Sequence, residues 1–419
     1  MNKKKKFKNN IVLFLFGMVS PIYFLMLNGT QFIFFALIAV IIFTLLRSQN
    51  MRIYVMKDKL YACIVANLIL SSVSGVIFNN NPSQWKWQAI VFLIYDLLIY
   101  VFYIMSANFS KRDIKAFFQG FKICAVIQII YGYIQYFSYL LFKLDLNQTL
   151  FGKILNLDHP LSHYNYGRLV PSGFSWHAGT FAPLLVITYC MAKSSFVLKI
   201  LIIGIAALTQ SSTCIIGVMC CAMLNLFVNL KKIHIKWKKR TIMFTLAVFT
   251  IGIIIIFKMG IIHILVNEVK RLFIRVLTKS NASVDMSSYF HKRYYLGLPD
   301  IVQNSNLMQL IWGYGEGCSG YPFVKVFNQY ASASPWVVES EIINRLLNRG
   351  IIGFVYIYIW LVRIAKNGWK ISKQYAICFI ALFFESITYN IGFFWVLIVE
   401  IMMQLAVKKG MNIWSSENE

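Results

Sequence analysis

Apolar residues in this chain do not alternate with polar ones. They gather in long runs separated by short polar or basic segments. A half-buried strand would alternate with period two, and a membrane β-barrel would do so over about 10 residues. Segments such as Ile251 to Phe257 show no alternation. Runs near 20 apolar residues are what a helix needs to cross a bilayer. The pattern predicts spans at about 11–27, 31–46, 60–78, 88–105, 114–142, 178–192, 196–210, 213–230, 241–258, 350–363, 375–388 and 391–407. The last two share one run, Tyr375 to Val407. A tight hairpin there gives about twelve spans, and one overlong helix gives eleven. The expected fold is an all-α polytopic membrane protein forming a single integral domain over residues 1–419.

Composition sharpens this picture. Hydrophobic residues make up 58% of the 419, and charged residues only 13%; mean hydropathy is +0.64. Soluble domains carry about 25% charged residues, so a soluble enzyme is excluded. Lys and Arg number 41 against 15 Asp and Glu, a net charge of +26. In a soluble chain such a surplus suggests nucleic acid. Here cytoplasmic loops explain it, because they collect Lys and Arg. Met1 to Asn10 carries five lysines, and the stretch KKIHIKWKKR, residues 231–240, carries six basic residues. The short outer segments 28–30 and 209–212 carry none. Both termini are therefore expected in the cytoplasm, with the first helix retained rather than cleaved as a signal. No nucleic-acid partner is expected.

Two segments facing outward are too long for simple turns: about 143–177 and 259–349. Long loops are uncommon and tend to carry function. Ile261 to Leu277 has apolar residues at helical spacing and a basic face, which predicts a helix lying in the interface plane. No internal repeat is visible, which weakens a transporter built from two similar halves. The ionisable residues within the expected spans (Asp96, Lys122, Glu385 and Glu400) form no obvious pairs, so an ion pathway has little support.

The loops hold the candidate chemistry. The first contains GRLVPSGFSWHAGTF, with Arg168, Trp176 and His177 close to the start of a span. Taken alone, Arg168 also suits an interfacial snorkel and His177 a helix cap. The second contains HKRYYLG, with His291, Lys292, Arg293 and Tyr294, and then IWGYGEG. A guanidinium matches phosphate oxygens with a planar fork, so two outer arginines suit a lipid-linked pyrophosphate. The glycines are no nucleotide loop, because no strand precedes them and no Lys-Ser/Thr follows. In PWVVESEIINRLLNRGIIGF, helical spacing puts Glu339 with Ile342, Ile343 and Leu346, and puts Glu341 with Arg345 as an i,i+4 pair. A carboxylate on the apolar face needs a partner or a task, which favours Glu339. No DxD-type cluster occurs, so no metal or other cofactor is indicated.

These residues resemble the O-antigen polymerase and ligase superfamily, which includes the Wzy-type polysaccharide polymerases. Arg168, Gly173 and His177 match the family's Arg–Gly–(Glu/His) pattern before a helix. Arg293 with Gly313 and Gly315 matches its second Arg and Gly-x-Gly. Glu339, Gly350 and Gly353 match the acidic or His residue before a Gly-x-x-Gly. Many ligases carry His where Glu339 stands. The resemblance implies a metal-independent glycosyltransferase of the bacterial cytoplasmic membrane. It would polymerise undecaprenyl-diphosphate-linked oligosaccharide units into an O-antigen or capsule. It also implies a chain-length regulator and a flippase as partners. Catalysis would fall to Glu339, His177, Arg168 and Arg293. Substrate contacts would add Lys292, His291, Trp176, Tyr294 and Glu341. A glycan ligase and a lipid-linked oligosaccharide flippase are the alternatives. The enzyme reading expects Arg168, Arg293 and Glu339 on one outward cavity.

Overall fold

A computed structural model describes residues 2–22, 26–27, 30–47, 58–78, 81–156, 162–165, 168–175, 177–192, 195–209, 211–230, 286–328, 338–389 and 394–414. The described residues are mostly helical. The helices are α1 (Asn2–Val19), α2 (Phe32–Arg47), α3 (Lys59–Val73), α4 (Ser83–Ser106), α5 (Lys111–Phe142), α6 (Ala178–Met191), α7 (Phe196–Leu208), α8 (Ser212–Leu230), α9 (Met286–Gln303), α10 (Leu307–Trp312), α11 (Tyr321–Phe327), α12 (Glu341–Trp369), α13 (Lys373–Thr388) and α14 (Phe394–Lys408). Two short hairpins join them: β1 (Met26–Leu27) with β2 (Thr30–Gln31), and β3 (His163–Asn165) with β4 (Arg168–Val170). The chain divides into two units, Met1–Asn225 with Gly297–Glu419, and Leu226–Leu296.

Among the described residues, α3 with its π-turn (Lys59–Ile77), α4, α5 and α12 are long and apolar enough to cross a membrane; four shorter apolar helices accompany them. The expected span at 241–258, the interfacial helix at 261–277 and much of the second loop lie outside the described residues. Elsewhere the apolar runs became helices with shifted ends. The first expected span, 11–27, is instead a helix that starts at Asn2, takes in the lysines and stops at Val19. Lysine is a good helix former, and Pro21 disfavours helix in the residue before it. The run from Tyr375 to Val407 resolves into α13 and α14, because Tyr389 turns extended, at φ −144° and ψ 155°.

Packing in the first unit relies on close backbone approach. A Cβ at Gly17 would lie 2.0 Å from the Phe117 carbonyl oxygen, and one at Gly120 would lie 2.0 Å from that of Phe14. α1 and α5 therefore pack at small residues, the device that draws helices together where lipid competes for apolar contact. α5 begins at a capping box: the Asp113 N–H donates to Ser110 Oγ, and the Ser110 N–H donates to Asp113 Oδ2.

Four helices are tied at one end by a single carboxylate. Asp58, just before α3, accepts from Gln404 Nε2 at 2.8 Å, Lys408 Nζ at 3.2 Å, Tyr103 Oη at 3.2 Å and Arg363 Nη1 at 3.4 Å. Burial pushes this carboxyl up, but Lys408 and Arg363 outweigh it and hold Asp58 below its ordinary value. A depressed carboxyl contributes stability that is present above the unfolded value, about 3.9, and is lost as pH falls through the folded one. Asp58→Asn should lower the melting temperature of the detergent-solubilised protein near neutral pH. It should also flatten the loss of stability as pH falls below the unfolded value, about 3.9. A variant melting curve identical to wild type at both ends would remove Asp58 as the tie.

Candidate active site

α12 carries the centre of the structure. Its backbone breaks at Gly350, where φ is +63° and ψ −176°, a conformation that favours glycine. A Cβ there would also sit 2.2 Å from the Ile311 carbonyl oxygen. The break releases helix carbonyls that need donors inside an apolar bundle. The loop 313–319 and α3 supply them. The Tyr314 N–H donates to Leu347 O at 2.8 Å and the Gly315 N–H to Asn348 O at 3.1 Å. Asn67 Nδ2 donates to Arg349 O at 3.3 Å, and Ser71 Oγ also donates to Asn348 O. The glycine loop thus spends these N–H groups on α12 rather than on a phosphate.

The same break presents Arg349 to two carboxylates. Its Nε donates to Glu316 Oε2 at 2.5 Å, and its Nη2 to Asp96 Oδ2 at 3.0 Å. All three side chains are at most 12% exposed. Asp96 therefore has a partner that the sequence reading did not find. One turn earlier, Arg345 Nε pairs with Glu341 Oε1, the expected i,i+4 pair. It is buried rather than an ordinary surface pair, because Glu341 is 4% exposed.

Beside these charges lies a cavity of about 690 Å³. It follows α12 from Glu341 to Ala365, and α3, α4, α13 and α14 form its other walls. Most of the lining is aliphatic and aromatic. Asp96, Glu341, Arg345, Arg349 and Glu400 make its polar patch, and Glu400 lies within electrostatic reach of Arg345.

The starts of α6 and α12 meet at the end of α13. His177 is the N-cap of α6, with Nδ1 accepting from the Gly179 N–H at 3.0 Å. Thr180 Oγ1 accepts from the His177 N–H at 3.2 Å. The His177 ring stacks on Tyr389, with centroids 5.6 Å apart and planes 8° from parallel. The Tyr389 carbonyl in turn accepts from the Glu341 N–H at 3.3 Å. Glu339 lies two residues before the Glu341 N–H that joins this junction, and on no helix face. α12 starts at Glu341 after an N-cap at Ser340, so the expected face shared with Ile342, Ile343 and Leu346 does not form. Ser and Asp-like residues stop the helix register at the cap. Burial raises the Glu339 carboxyl above its ordinary value.

The first loop returns to α6 along α5. Asp145 accepts from Tyr164 Oη at 2.5 Å and Ser162 Oγ at 2.5 Å, which anchors the β3–β4 hairpin. Gln135 Oε1 accepts from the Ser172 N–H and Gln128 Oε1 from the Phe174 N–H, each at 3.1 Å. Arg168 lies in β4 opposite Asn165; its side chain, the side chains of His291 and Lys292, and all of Trp176 lie outside the described residues. Arg293 and Tyr294 lie on α9 within the Leu226–Leu296 unit, Arg293 half-buried and Tyr294 buried. The structure thus joins His177 to the Glu339–Glu341 segment. Of the buried charges, Glu316 and Arg349 were not singled out from the sequence, Arg345 was named only as the partner of Glu341, and Asp96 only as an ionisable residue without a pair. The i,i+4 spacing of Arg345 and Arg349 just before a glycine was the signal that could have found two of them.

No family model matches this chain, and no curated protein matches it. Residues and geometry carry the functional reading.

Arg349→Ala would leave Asp96 and Glu316 buried without their cation, at a cost of about 3–5 kcal/mol. The variant should melt well below wild type in detergent, with Arg349→Lys in between because an ammonium lacks the fork. Wild-type melting in Arg349→Ala would show that the bundle does not depend on this ion pair.

Proposed function

We propose that this protein is a membrane glycosyltransferase of the Wzy polymerase type. It joins undecaprenyl-diphosphate-linked repeat units into an O-antigen or capsule at the outer face of the bacterial cytoplasmic membrane. The reading takes the twelve-span topology, with both termini in the cytoplasm. The observation that carries it is the junction at Tyr389. There the end of the first long loop, at His177, meets the start of α12 through the Glu341 N–H, two residues past Glu339, beside an apolar cavity that Glu341 lines. Transfer between two lipid-held glycans needs both held in line, and a polyprenyl chain needs an apolar channel.

In this reading the acceptor hydroxyl attacks the anomeric carbon of the donor. The C–O bond to the diphosphate breaks, and the electron pair leaves with the diphosphate. Arg168 and Arg293 stabilise the charge that develops there. Glu339 takes the acceptor proton. A raised carboxyl suits that task, because a base works best near the operating pH. His177 has a narrower role than the sequence suggested. Its Nδ1 accepts the Gly179 N–H, so the neutral ring carries its proton on Nε2 and acts there as a donor. His291, Lys292, Tyr294, Trp176 and Glu341 remain substrate contacts in the proposal. A chain-length regulator and a flippase are its expected partners.

A flippase is the second reading, and one observation favours it. A broken helix and buried charges are also features of transporters. Against it, the carbonyls freed at Gly350 are capped, and Arg349 is fully paired.

The test uses the purified full-length protein and lipid-linked repeat units from its own host. Glu339→Gln should lower turnover by about 10²–10⁴-fold, whereas Glu339→Asp should retain part of it. The acid limb of the wild-type pH–rate profile should lie above the ordinary glutamate value, about 4.3, because a base is active only when deprotonated. Full turnover by Glu339→Gln would end the assignment.

A further inference from the structure

Glu339 is bracketed by two backbone N–H groups that donate to different parts of the fold. On one side, the Glu341 N–H donates to Tyr389 O at 3.3 Å. On the other, the Val338 N–H donates to Ser319 Oγ at 3.1 Å. Ser319 is fully buried and belongs to the glycine loop that caps the broken helix. Its hydroxyl proton goes to Asn344 Oδ1 at 2.5 Å, so its lone pairs point at Val338. Asn344 Oδ1 also accepts from Asn348 Nδ2 at 3.2 Å. Asn348 Oδ1 accepts from the Cys318 N–H at 3.0 Å. Every step of this chain is buried and directional. It runs from the loop, through two asparagines one turn apart on α12, to the residue that precedes Glu339.

We propose that Ser319 is a positioning residue for Glu339. It fixes the Val338–Ser340 segment so that the Glu339 carboxylate stands at the Tyr389 junction. A hydroxyl is needed for this. It alone can give its proton to Asn344 while accepting from a backbone N–H in so small a space. Alanine would leave the Val338 N–H and one acceptor of Asn344 without partners. The effect on chemistry rests on the polymerase reading above; the effect on geometry does not.

Two readouts keep these apart. The first is positional. Glu339→Cys is purified in detergent and treated with a maleimide, and label at position 339 is followed by mass spectrometry of its peptide. Adding Ser319→Ala should change the labelling rate several-fold, and Ser319→Thr, which keeps Oγ, should restore it. The second is turnover of lipid-linked repeat units by otherwise wild-type protein. Ser319→Ala should lower kcat by up to about 10²-fold with little change in KM, and Ser319→Thr should recover most of it. Unchanged labelling in Ser319→Ala overturns the positioning role. Altered labelling with wild-type kcat upholds the positioning and overturns Glu339 as the base. Should Ser319→Ala not accumulate in the membrane, Ser319→Cys keeps the volume and weakens the acceptor. A labelling rate at position 339 that differs from that of the Glu339→Cys protein with Ser319 intact then supports the proposal, and an unchanged rate overturns it.

Discussion

A helix broken inside an apolar bundle cannot leave its carbonyls bare, and most of this architecture follows from that constraint. Gly350 interrupts α12. Its freed carbonyls require donors, and the loop 313–319 supplies them. Bringing that loop inward also brings Glu316, whose charge must then be matched. Arg349 matches it and takes Asp96 of α4 as well. One backbone break therefore links α3, α4, the glycine loop and α12 through hydrogen bonds and ion pairs. Such contacts have more influence between helices in lipid, where apolar burial gives little net drive.

The same linkage sets the start of α12. Asn344 and Asn348 lie one turn apart on its first segment, and both hold the glycine loop. The N-terminal turn of α12 is thereby fixed against α13, and Tyr389 passes that constraint to His177 at the start of α6. Chemistry proposed at this junction depends on side chains whose backbone is held from several directions. Rigid support of this kind is what a site needs to keep reacting groups in register.

Much of the helical layout was legible in the sequence, because long apolar runs have few other solutions. The ends were less legible. Pro21 and the helix-forming lysines moved α1 toward the N-terminus, and Tyr389 divides the run 375–407, which hydropathy left as either a hairpin or one overlong helix. The i,i+4 pairing of Glu341 with Arg345 followed from spacing alone. Its burial did not, since spacing carries no information about what packs above a helix. Glu339 was placed on a helix face, yet it precedes the helix, because the cap falls at Ser340. Asp96, Glu316 and Arg349 lie far apart in sequence, and only the tertiary fold brings them together. His177 was read both as a cap and as a catalytic group. The cap is visible, and it limits the ring to donating through Nε2.

The central claim is that two loop ends, held together at Tyr389, build glycan chains on a lipid carrier. It is tested most directly by a gel of surface and lipid-linked glycans from cells lacking this protein. The account predicts glycans that stop at a single repeat unit. Repeat units trapped on the inner leaflet, or long chains that persist, would contradict it.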